Sequence, residues 1–152
     1  MILRDPVEVA LPDDAATARL GAAVAGLLRE GDSVLLWGDL GAGKSTLARG
    51  LVRALTRPEE DVPSPTFTLM QQYEARPFLT HFDLYRLADE RETIEVGLDE
   101  ALDEGAIVVE WPQRMGDRLP PDRLDIELEI LAEGRRARLV PHGAFIGREF
   151  HV

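Results

Sequence analysis

The sequence predicts an α/β protein of three layers, a mixed sheet flanked by helices and extended by an antiparallel C-terminal hairpin. Three observations point there. Short apolar runs alternate with stretches of helical periodicity between residues 7 and 110. A glycine-rich turn joins one such run to one such helix, and the last quarter of the chain switches to a two-residue alternation. The turn, Gly38-Asp39-Leu40-Gly41-Ala42-Gly43-Lys44-Ser45, matches the phosphate-binding pattern G-x-x-x-x-G-K-[ST] in full. The expected architecture is therefore that of a P-loop nucleoside triphosphatase.

Each element follows from local pattern. Val7 to Leu11 reads as an opening strand, and Pro12-Asp13 starts a helix that Asp13 or Asp14 can cap. From Ala15 to Leu28, residues Ala16, Leu20, Val24, Leu27 and Leu28 form one apolar stripe, which Gly31-Asp32 ends. Ser33 to Trp37 is a short apolar run typical of a buried strand, and Ser45 to Leu55 has helical spacing. Thr56 to Pro65 fits neither pattern and is expected to be a surface loop. Strands are expected over Phe67 to Tyr73 and Phe78 to Phe82, joined by a turn at Ala75-Arg76-Pro77. A helix around Glu90 to Leu102 then leads to a buried strand at Ala106 to Val109.

In the last quarter, Leu124, Ile126, Leu128 and Ile130 alternate with Asp125, Glu127 and Glu129, as in a strand with one wet face. Glu133-Gly134 turns the chain, and the returning strand carries Arg136 and Arg138 opposite the acids.

Composition bounds the function. The 152 residues fit a single domain, 1–152, with one modest core, and no cysteine is present to build a disulfide framework or thiolate metal site. The apolar runs are too short to span a bilayer, and the N-terminus lacks the apolar core of a signal peptide, so a cytoplasmic location without membrane attachment is expected. A formal net charge of −11 disfavours independent binding to nucleic acid, whose phosphates call for a basic face. Contact with RNA is expected only through a partner.

The chemistry centres on Lys44. It is the one lysine among 17 basic residues. Its compact ammonium can reach between the β- and γ-phosphates, where a wide planar guanidinium needs more room. Backbone N–H groups of the glycine-rich loop and the N-terminus of the next helix are suited to hold phosphate, and the Ser45 hydroxyl is a candidate ligand for Mg²⁺. Magnesium also takes carboxylate oxygen. Asp83 and Glu110 each end an apolar run, the position of a metal-binding or water-orienting acid at a strand terminus. Thr66, in Ser64-Pro65-Thr66-Phe67 after the phosphate-loop helix, is the candidate γ-phosphate sensor. Trp111, taken alone, reads as packing, and His81, His142 and His151 have no metal-ligand spacing.

Four segments together resemble the TsaE family: Gly38 to Thr46, Ser64-Pro65-Thr66-Phe67-Thr68-Leu69, His81-Phe82-Asp83-Leu84-Tyr85-Arg86-Leu87, and Val109-Glu110-Trp111-Pro112-Gln113. Leu11-Pro12-Asp13 and Gly134-Arg135-Arg136-Ala137-Arg138 also resemble the family pattern. The resemblance implies an ATPase that supports threonylcarbamoyladenosine modification of tRNA beside the anticodon. It would do so by binding and resetting a complex of the proteins TsaD and TsaB. It further implies that Asp39, Leu40, Gly41, Ala42, Gly43, Lys44, Ser45 and Thr46 bind ATP, with Asp14 and Arg135 near the base end and Trp111 beside nucleotide or partner. Ser45, Glu110 and Asp83 would take Mg²⁺, and Lys44, Asp83, Glu110 and Thr66 would serve the chemistry. Ser45 stands where the family more often has threonine, which keeps the hydroxyl. Phe67 replaces a frequent tyrosine.

Other readings are weaker. A small-molecule kinase needs a lid and an acceptor pocket, for which little chain remains. The guanine-specificity motif of GTPases needs Asn-Lys, and this chain has no asparagine. A dinucleotide fold lacks the last glycine of G-x-G-x-x-G. A nucleotide-dependent binding module with incidental hydrolysis stays open. Arg86 and Arg114 follow the two acids closely enough to be arginine-finger candidates.

Overall fold

The computed structural model describes residues 1–63, 69–87 and 97–152. Among these residues, seven strands, β1 (Val7–Leu11), β2 (Ser33–Trp37), β3 (Met70–Tyr73), β4 (Leu79–Asp83), β5 (Ala106–Glu110), β6 (Arg123–Ile130) and β7 (Arg135–Pro141), form one sheet. Its order is β1-β7-β6-β2-β5-β4-β3. Central β2 runs parallel to both β5 and β6, and β4 is parallel to β5, whereas β1-β7, β6-β7 and β3-β4 are antiparallel. The chain leaves β2 toward one side of the sheet and returns to β6 on the other. The crevice at such a reversal, at the carboxyl end of β2, is where α/β sheets bind ligands.

Helices α1 (Asp14–Ala25) and α2 (Lys44–Leu55) cover one face, and the short α3 (Leu98–Glu104) lies on the other. Strand parity sorts the core accordingly. Val34, Leu36, Ala106 and Val108 join Leu20, Val24, Leu47 and Leu51 under α1 and α2, while Leu35, Ile107, Val109 and Phe82 join Leu98 and Ala101. The α1–α2 crossing is tight. A Cβ on Gly21 would lie 2.1 Å from the Leu47 carbonyl oxygen, and one on Gly50 would lie 2.3 Å from that of Ala18, so hydrogen is the largest group either position takes.

Three layers hold over β2, β5 and β4 but not over the C-terminal hairpin. There Leu124, Ile126 and Leu128 face the core, while Glu127 and Glu129 stand in solvent and pair with Arg138 and Arg136 at 3.0 and 2.8 Å. The hairpin register that the alternation predicts is the one observed. Asp125 departs from its exposed neighbours: it is almost covered, accepting hydrogen bonds from Trp37 Nε1 and Arg123 Nε.

Two boundaries shift. Helix α1 is capped by Asp13, whose carboxylate accepts from the Ala16 N–H, and it stops at Ala25 rather than Leu28. Leu27 and Leu28 continue in tighter turns, donating to Val24 and Ala25, so their burial follows the stripe although the helix does not. The expected strand from Phe67 is formed over Met70–Tyr73, with Phe67 and Thr68 outside the described residues. The helix expected from Glu90 is described only as α3, since residues 88–96 also lie outside. Among the described residues no helix is long and apolar enough to cross a membrane.

Candidate functional site

The site begins where β2 ends. Gly38, Gly41 and Gly43 all have positive φ, at 148°, 81° and 107°, a conformation side chains resist. A Cβ on Gly38 would also lie 2.8 Å from the Leu128 carbonyl oxygen. The Ala42 N–H closes the turn on the Asp39 carbonyl at 3.1 Å, and its methyl is buried in the core. Gly43 caps α2 without a side chain, so no side-chain oxygen competes for the N–H groups of the first turn.

Lys44 is buried in the first turn of α2, with Nζ donating to the Gly38 and Asp39 carbonyls at 2.5 and 2.9 Å. Its ammonium lies 4.1 Å from the centre of the Trp111 ring. Burial lowers its pKa, and the charges of Glu110, Asp39 and Asp83 act against that shift. Trp111 itself sits at φ 60°, a left-handed conformation that costs a residue with a side chain on the order of 1–2 kcal/mol. That backbone turn directs the indole over the lysine, with Tyr85 against it at 4.8 Å between ring centres. The ring also packs on the smaller core cluster. Packing and site residue are thus one and the same.

The acids arrive by register. Asp83 and Glu110 are paired neighbours at the ends of parallel β4 and β5, and both are buried. Glu110 shares the strand face of Ala106 and Val108, the face covered by α2. The Ser45 hydroxyl accordingly donates to Glu110 Oε1 at 2.9 Å, and the Asp83 carboxylate accepts from the Tyr85 N–H at 3.0 Å.

These groups surround a cavity of about 530 Å³. The phosphate loop forms one wall through Leu40, Gly41, Gly43, Lys44, Ser45 and Thr46, with Asp83 and Glu110 beyond it. Tyr85, Trp111, Asp14, Thr17 and Arg135 complete the lining. Arg135 reaches back to the loop, its Nη2 donating to the Gly41 carbonyl at 3.2 Å. Of the expected site residues, Ala42 turns into the core and Asp39 contributes a carbonyl to Lys44 rather than a wall. Thr66 lies outside the described residues. Arg86 and Arg114 do not line the cavity, whereas Arg135 does.

Sequence reasoning passed over Thr17, Tyr85 and His81. His81 is buried on β4, with Nε2 2.6 Å from Glu110 Oε2. Its two-residue spacing from Asp83 was the available signal, but that spacing speaks only once β4 is known to pair with β5.

A glycine loop at the switch point of a largely parallel α/β sheet, closing on a buried lysine, defines a protein of the phosphate-binding-loop class. The sequence pattern of the family described as threonylcarbamoyl adenosine biosynthesis protein TsaE matches residues 11–138. A TsaE protein of Treponema pallidum is 42% identical over 121 residues, covering 79% of this chain and 89% of the relative. One of Rickettsia felis is 37% identical over 127 residues, covering 83% and 74%. The crystal structure of Bacillus subtilis YdiB superimposes with a TM-score of 0.74 at 26% identity, covering 94% of this chain and 90% of that one. The chain belongs to the TsaE family of tRNA threonylcarbamoyladenosine biosynthesis.

Proposed function

We propose that the protein is a cytoplasmic, Mg²⁺-dependent ATPase that binds a TsaD–TsaB complex and resets it between rounds of tRNA modification, meeting tRNA only through that complex. One observation carries the ATPase reading. A buried lysine, a hydroxyl on a carboxylate, and a second carboxylate in register converge on one cavity at the mouth of a glycine loop. Family membership supports the link to tRNA modification.

Magnesium suits the donors present, which are hard oxygens of a hydroxyl and carboxylates rather than nitrogen or sulfur. Ser45, Glu110 and Asp83 would hold it, and when bound it supplies positive charge beside the phosphate oxygens. The remaining work falls to the chain. N–H groups of the loop and of the first turn of α2 bind phosphate oxygens, and Lys44 adds a charge in a water-poor setting, where it acts more strongly than in bulk solvent. Either Asp83 or Glu110 orients the attacking water. Among the described residues the cavity lining contributes one arginine, Arg135, from β7, across β2 from the strands that carry the acids. The isolated protein turns over slowly, and its partner complex accelerates or gates it.

The test is ATP hydrolysis by the purified protein, alone and with TsaD–TsaB, in Mg²⁺ throughout. Stimulation by the complex is expected. Rapid turnover that the complex leaves unchanged would overturn the reading. Glu110→Ala adds a second arm: if it binds ATP, fails to hydrolyse it and still supports repeated tRNA modification, the protein acts as a nucleotide-dependent binding module.

A further inference from the structure

We propose that His81 is a positioning residue that fixes the carboxylate of Glu110 so that one oxygen faces Ser45 and the site while the other is held back. The inference rests on the Mg²⁺–nucleotide reading above. Glu110 Oε1 accepts from the Ser45 hydroxyl at 2.9 Å, and Oε2 lies 2.6 Å from His81 Nε2. The two oxygens therefore have different jobs. A glutamate's terminal torsion is broad and roughly two-fold, so a carboxylate anchored on one side alone can swing both oxygens toward a single cation. The bond to Nε2 removes that freedom, as outer partners of metal-binding carboxylates do.

Two features separate this from a histidine that merely fills the core. First, the fold brings the ring to Glu110 deliberately: residues 79, 81 and 83 of β4 share the face on which β5 presents Glu110, and His81 is only 2% exposed. Second, the ring is satisfied on one side alone. A carboxylate oxygen accepts, which assigns the ring hydrogen to Nε2, and Nδ1 is buried with no partner among the described residues. Buried polar atoms nearly always find a partner, and the partner this ring has among the described residues is Glu110.

The experiment is calorimetric titration with ADP, once in excess Mg²⁺ and once in EDTA, so that the ratio of affinities reports how well the site couples metal to nucleotide. His81→Gln can present an amide nitrogen near the position of Nε2, whereas the shorter His81→Asn cannot reach it. The expected result for His81→Asn is a ratio reduced about tenfold, with affinity in EDTA unchanged. His81→Gln should stay within about threefold of the natural protein. His81→Phe, which keeps the ring and removes the donor, should behave as Asn does and stands in if Asn folds poorly. A natural ratio in Asn and Phe overturns the proposal, and so does an equal loss in EDTA or a Gln variant as impaired as Asn. Should the natural protein itself bind ADP equally with and without Mg²⁺, the magnesium reading of the whole site falls, a result distinct from loss in the variants alone.

Discussion

On the β2–β5–β4 side of the sheet, the carboxylates at the strand ends are buried and tied to groups from other elements; toward the open end of the β6–β7 hairpin, Glu127 and Glu129 stand in solvent and pair with the next strand. Glu110 meets Ser45 of α2 and His81 of β4, while Glu127 and Glu129 meet Arg138 and Arg136 of the adjoining β7. The difference follows from layering. A parallel strand with helices on both faces has no wet side, so an acid at its end costs desolvation unless it is partnered. An antiparallel hairpin with one open face bears acids at almost no cost. Charge on the first side therefore marks chemistry or a buried clasp, and charge on the exposed stretch of the hairpin, at Glu127 and Glu129, marks solubility and register.

The largest expected effect sits on a buried clasp outside the site. Arg148 donates both Nη groups to Asp32, at 2.5 and 3.0 Å, and Nη1 also to the Leu27 carbonyl. It thereby pins the C-terminal segment to the turn that precedes β2. Arg148→Ala strands a buried carboxylate and should lower the free energy of urea unfolding by about 3–5 kcal/mol. Replacing both partners, as Asp32→Leu with Arg148→Met, should recover most of that loss. If the single variant unfolds like the natural protein, burial is not what separates the two regions.

Next in size is Lys44→Arg. Charge is conserved, but the planar guanidinium must fit where an ammonium now sits between two carbonyls and an indole. ATP hydrolysis should fall by about 10²–10³, with the melting profile retained. Activity close to that of the natural protein would show that the lysine's shape is irrelevant and that only its charge acts.

Legibility of the sequence divides along the same line. The hairpin register was readable because an alternating strand with one wet face advertises each side chain's direction, and Glu127 and Glu129 opposite Arg138 and Arg136 came out as the pattern implies. The phosphate loop was readable because its glycines are forced by positive φ and close approach. Asp83 and Glu110 were readable as acids ending apolar runs, but their being neighbours was not, since that depends on the β4–β5 pairing. His81 was illegible for the same reason. Trp111 taken alone read as packing, because no pattern announces a left-handed backbone at a tryptophan, and only the family resemblance set it beside nucleotide or partner. The covered state of Asp125, amid exposed acids, arises from Trp37 on another strand.

Tyr73 tests a smaller cost on the buried side. Its hydroxyl is buried with no partner among the described residues, and desolvation, aided by Glu60 and Asp61, raises its pKa above the ordinary 10.0. A raised pKa means the folded state prefers the neutral phenol. That contribution to stability is complete below pH 10 and is lost as pH climbs through the raised value. Tyr73→Phe should be as stable as the natural protein at pH 7, or more so by about 1 kcal/mol, because an unsatisfied hydroxyl is removed. Above pH 10 the variant should lose less stability than the natural protein as pH rises. Equal alkaline curves for the two would refute this account of the phenol.

The smallest effect belongs to the open face. Glu129 and Arg136 are each about half exposed, pair at 2.8 Å, and sit directly opposite in the register of β6 and β7. Water screens both groups, and holding two long side chains together opposes what attraction remains. Glu129→Ala, Arg136→Ala and the double variant should therefore unfold at urea midpoints indistinguishable from the natural protein, with a coupling too small to resolve and smaller still in high salt. A clear coupling would mean that the hairpin's outer face is less open to solvent than its single helical layer implies, and the contrast between the two halves of the sheet would narrow to a difference of degree.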